Sequence, residues 1–266
     1  MTDEKFDNPV GRLVAILHRA KERSSDLGKT EARIGWAVVF ELQGHQNSPS
    51  RETEVEICWR LIELRKLIAE AEKVIQQSEA PHAKRYLRPF ARLRTMVPLT
   101  DLSGAFAVPI NEITESDMDL LEMASDELSS RHSESVVEEG ELEALREQID
   151  ELFDRVKQSD LDEDLKIFIL NQLESIRRAI AEYQIRGTER LQEALAEIVG
   201  GYFLHQEIIE KESDKEEVGI YKQLLSHFYS VVLTAAKLTP LIGPASKVFG
   251  FLTAGTPNIP PVDLGH

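Results

Sequence analysis

The sequence predicts an all-α fold: a multi-helix bundle that ends in a C-terminal apolar helical hairpin broken by Gly and Pro. Apolar residues recur at three- and four-residue spacing along almost all of the 266 residues, which is the period of one face of a helix. No alternating stretch bounded by turn residues indicates a strand. Apolar residues make up 42% and charged residues 29% of the chain, a composition that can bury a sizeable core.

The N-terminal third contains three helix signals. Asn8 before Pro9 is a cap followed by a first-turn proline and predicts a helix to about Ser25, and a second helix is expected over residues 30–42. Ser48 and Pro49 repeat the cap signal and predict a long helix to about residue 77. On its apolar face we expect Val55, Cys58, Ile62, Leu67, Ile68, Ala71 and Ile75.

Charge divides the chain into three regions. Residues 1–100 carry a net charge of +3, residues 101–226 carry −20 and residues 227–266 carry +1. We therefore predict an N-terminal helical region, an acidic helical bundle and an apolar amphipathic tail with these bounds, and place the connection between the first two at residues 101–110. A region of charge −20 repels phosphates, which opposes nucleic-acid binding there.

The acidic region has the clearest pattern, with three consecutive amphipathic helices. The short turns between them predict antiparallel neighbours in a bundle. The residues expected to face inward are Leu142, Leu145, Ile149, Leu152, Phe153 and Val156 in the first helix, Leu161, Leu165, Phe168, Ile169, Leu173, Ile176, Ile180 and Tyr183 in the second, and Leu191, Leu195, Ile198, Val199 and Phe203 in the third.

About 50 residues of this region, from Asp160 onward, resemble a family of uncharacterised bacterial all-helical proteins. The best-marked part is the A-E-Y-x-I-R-G turn at residues 181–187. No activity is established for that family, so the resemblance implies a bacterial source and supplies no functional residues. In physical terms, we expect Gly187 to end one helix and Thr188 to cap the next.

Two short motifs fall short of the chemistry they suggest. Residues 28–30 read Gly-Lys-Thr, but a phosphate-binding loop needs a glycine where Arg23 stands. The acidic residues Asp160, Asp162 and Asp164 have the spacing of a calcium loop, yet Leu165 replaces its essential glycine. The second motif is better explained as acidic residues that cap a helix and offset its dipole. We predict no catalytic residue, no cofactor and no metal site.

The single cysteine, Cys58, permits no intramolecular disulfide and indicates a reducing compartment. The polar, acidic residues 1–7 do not resemble a signal peptide. We therefore expect a cytoplasmic protein that can lie at the periphery of the inner membrane.

A basic helix is predicted over residues 82–97, with Pro89 ending or kinking it because proline lacks an N–H donor. Its cations are Lys84, Arg85, Arg88, Arg92 and Arg94, interleaved with Tyr86 and Phe90. They suit three anionic partners: the acidic bundle of the same or a neighbouring subunit, which we favour, a lipid surface, or nucleic acid.

The tail contains no Asp or Glu from His227 to Val262. The residues expected to contact a membrane or a partner are Phe228, Val232, Lys237, Leu238, Ile242, Lys247, Phe249 and Leu252. A lysine at a bilayer centre costs roughly 2.5–3.5 kcal/mol, and Pro240 and Pro244 divide the segment. An amphipathic hairpin that packs on protein and reaches a membrane only conditionally fits better than a permanent span.

These features favour a non-enzymatic, self-associating helical protein whose tail acts on a membrane or a partner. We expect a bacterial antiphage-defence or toxin-like effector. The alternative is a cytosolic regulatory or immunity-like module that packs its tail against a partner protein. A hydrolase or nuclease would require carboxylates that converge in a pocket.

Overall fold

The computed structural model describes residues 8–27, 29–42, 49–97, 102–131 and 136–236. This part of the chain is helical and contains no strand, which confirms the prediction of an all-α fold. The predicted hairpin of residues 237–266 lies outside the described residues. The helices are α1 (Pro9–Asp26), α2 (Ala32–Val39), α3 (Arg51–Gln77), α4 (Ala83–Tyr86), α5 (Phe90–Met96), α6 (Ala107–Asn111), α7 (Glu115–Arg131), α8 (Glu139–Gln158), α9 (Glu163–Arg186), α10 (Thr188–Leu204), α11 (Gln206–Lys211) and α12 (Glu216–Ala236).

The chain divides into two compact units. The first comprises the residues up to Val136 together with Gln184–Gly187, and the second comprises Val137–Tyr183 and the residues from Thr188. The sequence placed the boundary at residues 101–110. The structure instead packs α6 and α7 with α1, α4 and α5 of the first unit, so part of the acidic region belongs to the N-terminal core.

Helix α1 is central to the first unit, where it packs against α2, α3, α6 and α7. It begins as predicted, because the Oδ1 atom of Asn8 accepts a hydrogen bond of 2.9 Å from the backbone N–H of Gly11. The amide of Asn8 in turn donates to Ser129 Oγ at 2.8 Å. The cap residue therefore also ties α1 to α7.

Helix α3 is the longest helix of the described residues. Its cap is Ser50, which accepts from the N–H of Thr53 at 3.2 Å, two positions after the Ser48 cap that the sequence suggested. Acidic Glu52 and Glu54 occupy its first turn, where they offset the helix dipole. The buried residues on its inner face are Ile57, Arg60, Leu61, Leu64, Leu67, Ile68, Ala71 and Ile75.

Pro89 divides the predicted basic helix into α4 and α5, which confirms the expected break. The core of the first unit also contains an aromatic cluster. The Trp36 ring lies 5.4 Å from the ring of Phe40 and meets that of Phe106 edge-on at 5.5 Å. Gly35 is required beside this cluster because a Cβ there would overlap the ring of Phe106.

Arg12 is a buried cation in the first unit, with a side chain only 2% exposed. Its Nε donates to the carbonyl oxygen of Ile185 at 3.3 Å, and its guanidinium lies against Gly187. Gly187 has a φ of +62° and separates α9 from α10, so the predicted helix-ending glycine is confirmed.

In the second unit, α9 and α10 form an antiparallel hairpin, as three contacts show. Glu182 pairs with Arg190 at 2.7 Å, Ser175 donates to Glu197 at 2.9 Å, and the Phe168 ring stacks on that of His205 at 4.1 Å. Helix α12 packs along α8 and α10. The inward-facing residues predicted for the first two helices of the acidic region, which correspond to α8 and α9, are buried or packed against the core.

The third bundle helix departs from its prediction at one end. Phe203 is 43% exposed and the adjacent Leu204 is 84% exposed. Both lie in the last turn of α10, after the final buried residue, Tyr202, so the inward face predicted for Phe203 is wrong.

Candidate functional site

An exposed apolar stripe runs along the outer side of α3. Val55 is 53% exposed, Trp59 58% and Ile62 37%, and Cys58 between them is also exposed. We call these four residues the α3 stripe. They occupy positions i, i+3, i+4 and i+7, which lie on one side of a helix.

The α3 stripe forms the floor of a shallow groove of about 310 Å³, bordered at its N-terminal end by Arg51 and Glu54. All of its lining residues come from α3. A groove on one helix is a surface across which another element can lie, because no second element encloses it.

The position of the stripe corrects a prediction. Successive residues are about 100° apart around an α-helix, so Val55 and Ile57 point in nearly opposite directions. Ile57 is fully buried, whereas Val55, Cys58 and Ile62 are exposed. The single apolar face predicted for α3 is therefore wrong, because its residues lie on two opposite faces of the helix. The sequence already indicated a second apolar face, because at about 100° per residue Val55 and Ile62 cannot share one face with Ala71 and Ile75.

Charged residues flank the α3 stripe at both ends. Arg51 and Glu52 precede it and Arg65 and Lys66 follow it, and all four are exposed. Arg65 donates to the carbonyl oxygen of Arg94 at 3.0 Å, and Lys66 pairs with Glu63 at 2.7 Å. The stripe therefore has the layout of a small interface, with an apolar centre and a charged rim.

The predicted basic cluster is divided by its contacts. Arg92 donates to both carboxylate oxygens of Asp117, and Arg94 pairs with Glu72 at 2.9 Å. Lys84, Arg85 and Arg88 are exposed, and the described residues offer them no carboxylate within ion-pair distance. Two of the five cations thus have partners within the same unit.

Asp117 is a buried carboxylate, with a side chain 7% exposed. Burial raises its pKa, but hydrogen bonds from the backbone and hydroxyl of Thr114 and from Arg92 outweigh burial, and the net pKa is lowered. Thr114 and Asp117 bond each other reciprocally at the start of α7, as in a capping box. This carboxylate stabilises the fold and is not open to a ligand.

The aromatic residues within the basic segment belong to the core. Phe90 is fully buried and Tyr86 is 4% exposed. The Tyr86 hydroxyl donates to Glu127 at 2.9 Å, and burial, followed by Glu127, raises its pKa. Neither ring presents a face on which a nucleic-acid base could stack.

The predicted tail contacts fall into two groups. Phe228 and Val232 lie in α12 and are 0% and 1% exposed, so in this structure both are core residues of the second unit and present no surface to a bilayer. Lys237, Leu238, Ile242, Lys247, Phe249 and Leu252 lie outside the described residues. No helix within the described part of the chain has both the length and the apolar character needed to cross a membrane.

Within the described ranges, no group of three or more His, Cys, Asp or Glu side chains is placed to hold a metal ion. Comparison with protein-family models, with curated proteins and with solved structures gave no match to this chain. The α3 stripe is thus the feature of the described residues on which a functional argument can be built.

Proposed function

We propose that this chain is a non-enzymatic helical protein that binds another protein through the α3 stripe. The observation that carries the proposal is the exposure of Trp59 (58%) in line with Val55 and Ile62. Tryptophan is enriched among the residues that contribute most to protein–protein binding. Exposed apolar residues scattered singly are ordinary on protein surfaces, but an aligned group bordered by charge marks an interaction site.

Covering the stripe has a clear energetic gain. A buried tryptophan removes roughly 150–250 Å² from water, and each Å² of apolar surface contributes about 25 cal/mol. Covering the exposed half of Trp59 alone would therefore contribute about 2–3 kcal/mol before the costs of association. Val55 and Ile62 add to this gain on the same helix face.

The shape of the site favours a helix over a small molecule. Small-molecule pockets are concave and enclose most of the ligand surface, whereas the groove on α3 is shallow and lined by one helix. Anchors at i, i+4 and i+7 are the spacing by which one helix packs on another. The partner expected here is an amphipathic helix of a protein.

The test is photocrosslinking of the full chain in living bacterial cells. A benzoylphenylalanine at position 59 should give discrete covalent adducts with protein, because the stripe is covered in the complex. The matched control carries the same group at position 108, since Val108 is 62% exposed on α6 of the same unit. Adducts at neither position, or equal adducts at both, would overturn the proposal.

The tail supports a second candidate function, conditional action on a membrane as a bacterial effector. Residues 227–262 lack acidic side chains and include Lys237 and Lys247, which suit an anionic lipid surface. The test is flotation with anionic liposomes of the full chain against a chain that ends at Ala236. The truncation must start there because Phe228 and Val232 are core residues. Equal flotation of both chains would remove this candidate.

A further inference from the structure

We propose that the partner of the α3 stripe is a second copy of this chain, docked antiparallel about a two-fold axis that passes between Cys58 and Trp59. This inference rests on the proposed function, since it names the occupant of the same surface. An interface with two-fold symmetry uses one patch on both copies, so the patch must be complementary to itself.

The apolar centre of the stripe meets this requirement. Val55 and Ile62 lie on opposite sides of its midpoint, each about 5 Å away along the helix at a rise of about 1.5 Å per residue. In an antiparallel pair, Val55 of one copy therefore lies level with Ile62 of the other. Cys58 and Trp59 each lie beside their own symmetry mates at the axis.

The charges on the Trp59 side of the stripe are also complementary. At about 100° per residue, Glu52 and Lys66 both lie on the side of the stripe that holds Trp59. The symmetry operation keeps that side and reverses the direction of the helix, so Glu52 of one copy faces Lys66 of the other at both ends. Glu52 and Lys66 are exposed. Lys66 also pairs with Glu63 of its own helix at 2.7 Å, whereas no ion pair ties Glu52 to another described residue.

The Cys58 side of the stripe is less favourable. It places Arg51 of one copy near Arg65 of the other. Arg65 is held toward α5 by its hydrogen bond to the carbonyl oxygen of Arg94, which moves its guanidinium away from the axis. An apolar patch of this kind is of the order of 300–600 Å², so two of them bury about 600–1,200 Å² in total, at or below the lower limit of specific interfaces. We therefore expect a concentration-dependent dimer rather than a permanent one.

A charge-exchange experiment on the full chain tests the arrangement. Glu52→Lys alone places two cations opposite each other at each end of the interface, and Lys66→Glu alone places two carboxylates there. Each variant should weaken the dimer by roughly tenfold, because two ion pairs become two like-charge contacts. When the two variants are mixed, each heterodimer regains opposite charges at both ends, and its affinity should return to within about threefold of the wild type.

The measurement is sedimentation velocity over a concentration series, with thermal melting of each variant to show that it is folded. A bismaleimide that links the sole cysteine, Cys58, to its mate should trap a covalent dimer in the wild type and in the mixture. A wild-type chain that remains monomeric, or a mixture no tighter than its components, would overturn the second-copy proposal. If position 59 then crosslinks to a different protein in cells, the proposed function stands with another occupant. If it crosslinks to nothing, both fail.

Discussion

The absence of a side chain at Gly187 leaves room for the buried guanidinium of Arg12: a Cβ added at Gly187 would lie 2.7 Å from Nη1 of Arg12. Gly187 also has a φ of +62°. This is the left-handed region, which glycine adopts readily and which residues with a Cβ disfavour. The turn after α9 and the buried cation of α1 therefore depend on the same missing side chain.

Gly187→Ala should lower the free energy of unfolding by about 2–3 kcal/mol, from the left-handed backbone and the displaced guanidinium together. Urea denaturation followed by circular dichroism measures the change. The matched control is Gly219→Ala in α12, where a Cβ would meet nothing within 4 Å, and which should be neutral or stabilising by up to about 1 kcal/mol. Equal effects of the two substitutions would contradict this account of the turn.

Gly35 and Phe106 should be energetically coupled. Gly35→Ala should destabilise the first unit by about 2–4 kcal/mol, because the new methyl overlaps the Phe106 ring and overpacks the aromatic cluster. Phe106→Leu removes that ring and should recover part of the loss. A double-mutant cycle by urea denaturation measures the coupling, and strictly additive effects would show that the two residues do not clash.

Asp117→Asn should destabilise the first unit in a pH-dependent way. The pKa of Asp117 is lowered from its ordinary value of 3.8, so the carboxylate stabilises the folded state above that value and loses this effect as the pH falls through the folded pKa. The difference from the wild type should be about 1–3 kcal/mol at neutral pH and should shrink in acid. Asp119→Asn, an exposed change on the same helix, is the control. A difference in the free energy of unfolding between Asp117→Asn and the wild type that grows as the pH falls would contradict the predicted pH dependence.

Ile180→Asp should unfold the second unit, because it places an unpaired carboxylate at a fully buried position of α9. Ile167→Asp lies on the same helix at a position 51% exposed and should change stability by less than about 1 kcal/mol. Thermal unfolding by circular dichroism distinguishes them. Similar melting temperatures would mean that the face assignment of α9 is incorrect.

The helices were largely predictable because their caps and breaks are local. Asn8 acts through its side-chain oxygen on the first turn of α1, and Pro89 and Gly187 act through their own backbone, so each starts or ends a helix where the sequence indicated. The division into two units could not be predicted in this way, because it depends on contacts between residues that are far apart in the sequence. Residues 184–187 join the first unit through contacts such as Arg12 with the Ile185 carbonyl, and no periodicity signals a pairing across 173 positions.

The candidate site was missed for a different reason. Val55 and Ile62 have the same spacing as buried positions, and hydrophobic periodicity does not state which of two apolar faces is covered. Only the packing of α3 against α1, α2, α4 and α5 assigns Ile57 and Leu61 to the inside. Periodicity likewise could not predict which cations of the basic cluster have partners. The Arg92–Asp117 pair joins two different helices, α5 and α7.

The most direct test of the α3 stripe as the surface through which this chain binds a second copy is the sedimentation of Trp59→Glu beside the wild type and Val108→Glu. Trp59→Glu places a carboxylate at the centre of the stripe, and Val108→Glu makes a similar change at a 62% exposed position elsewhere in the unit. The sedimentation coefficient of the wild type and of Val108→Glu should rise with concentration, whereas that of Trp59→Glu should stay at the monomer value. A Trp59→Glu chain that associates as strongly as the wild type would contradict the central claim.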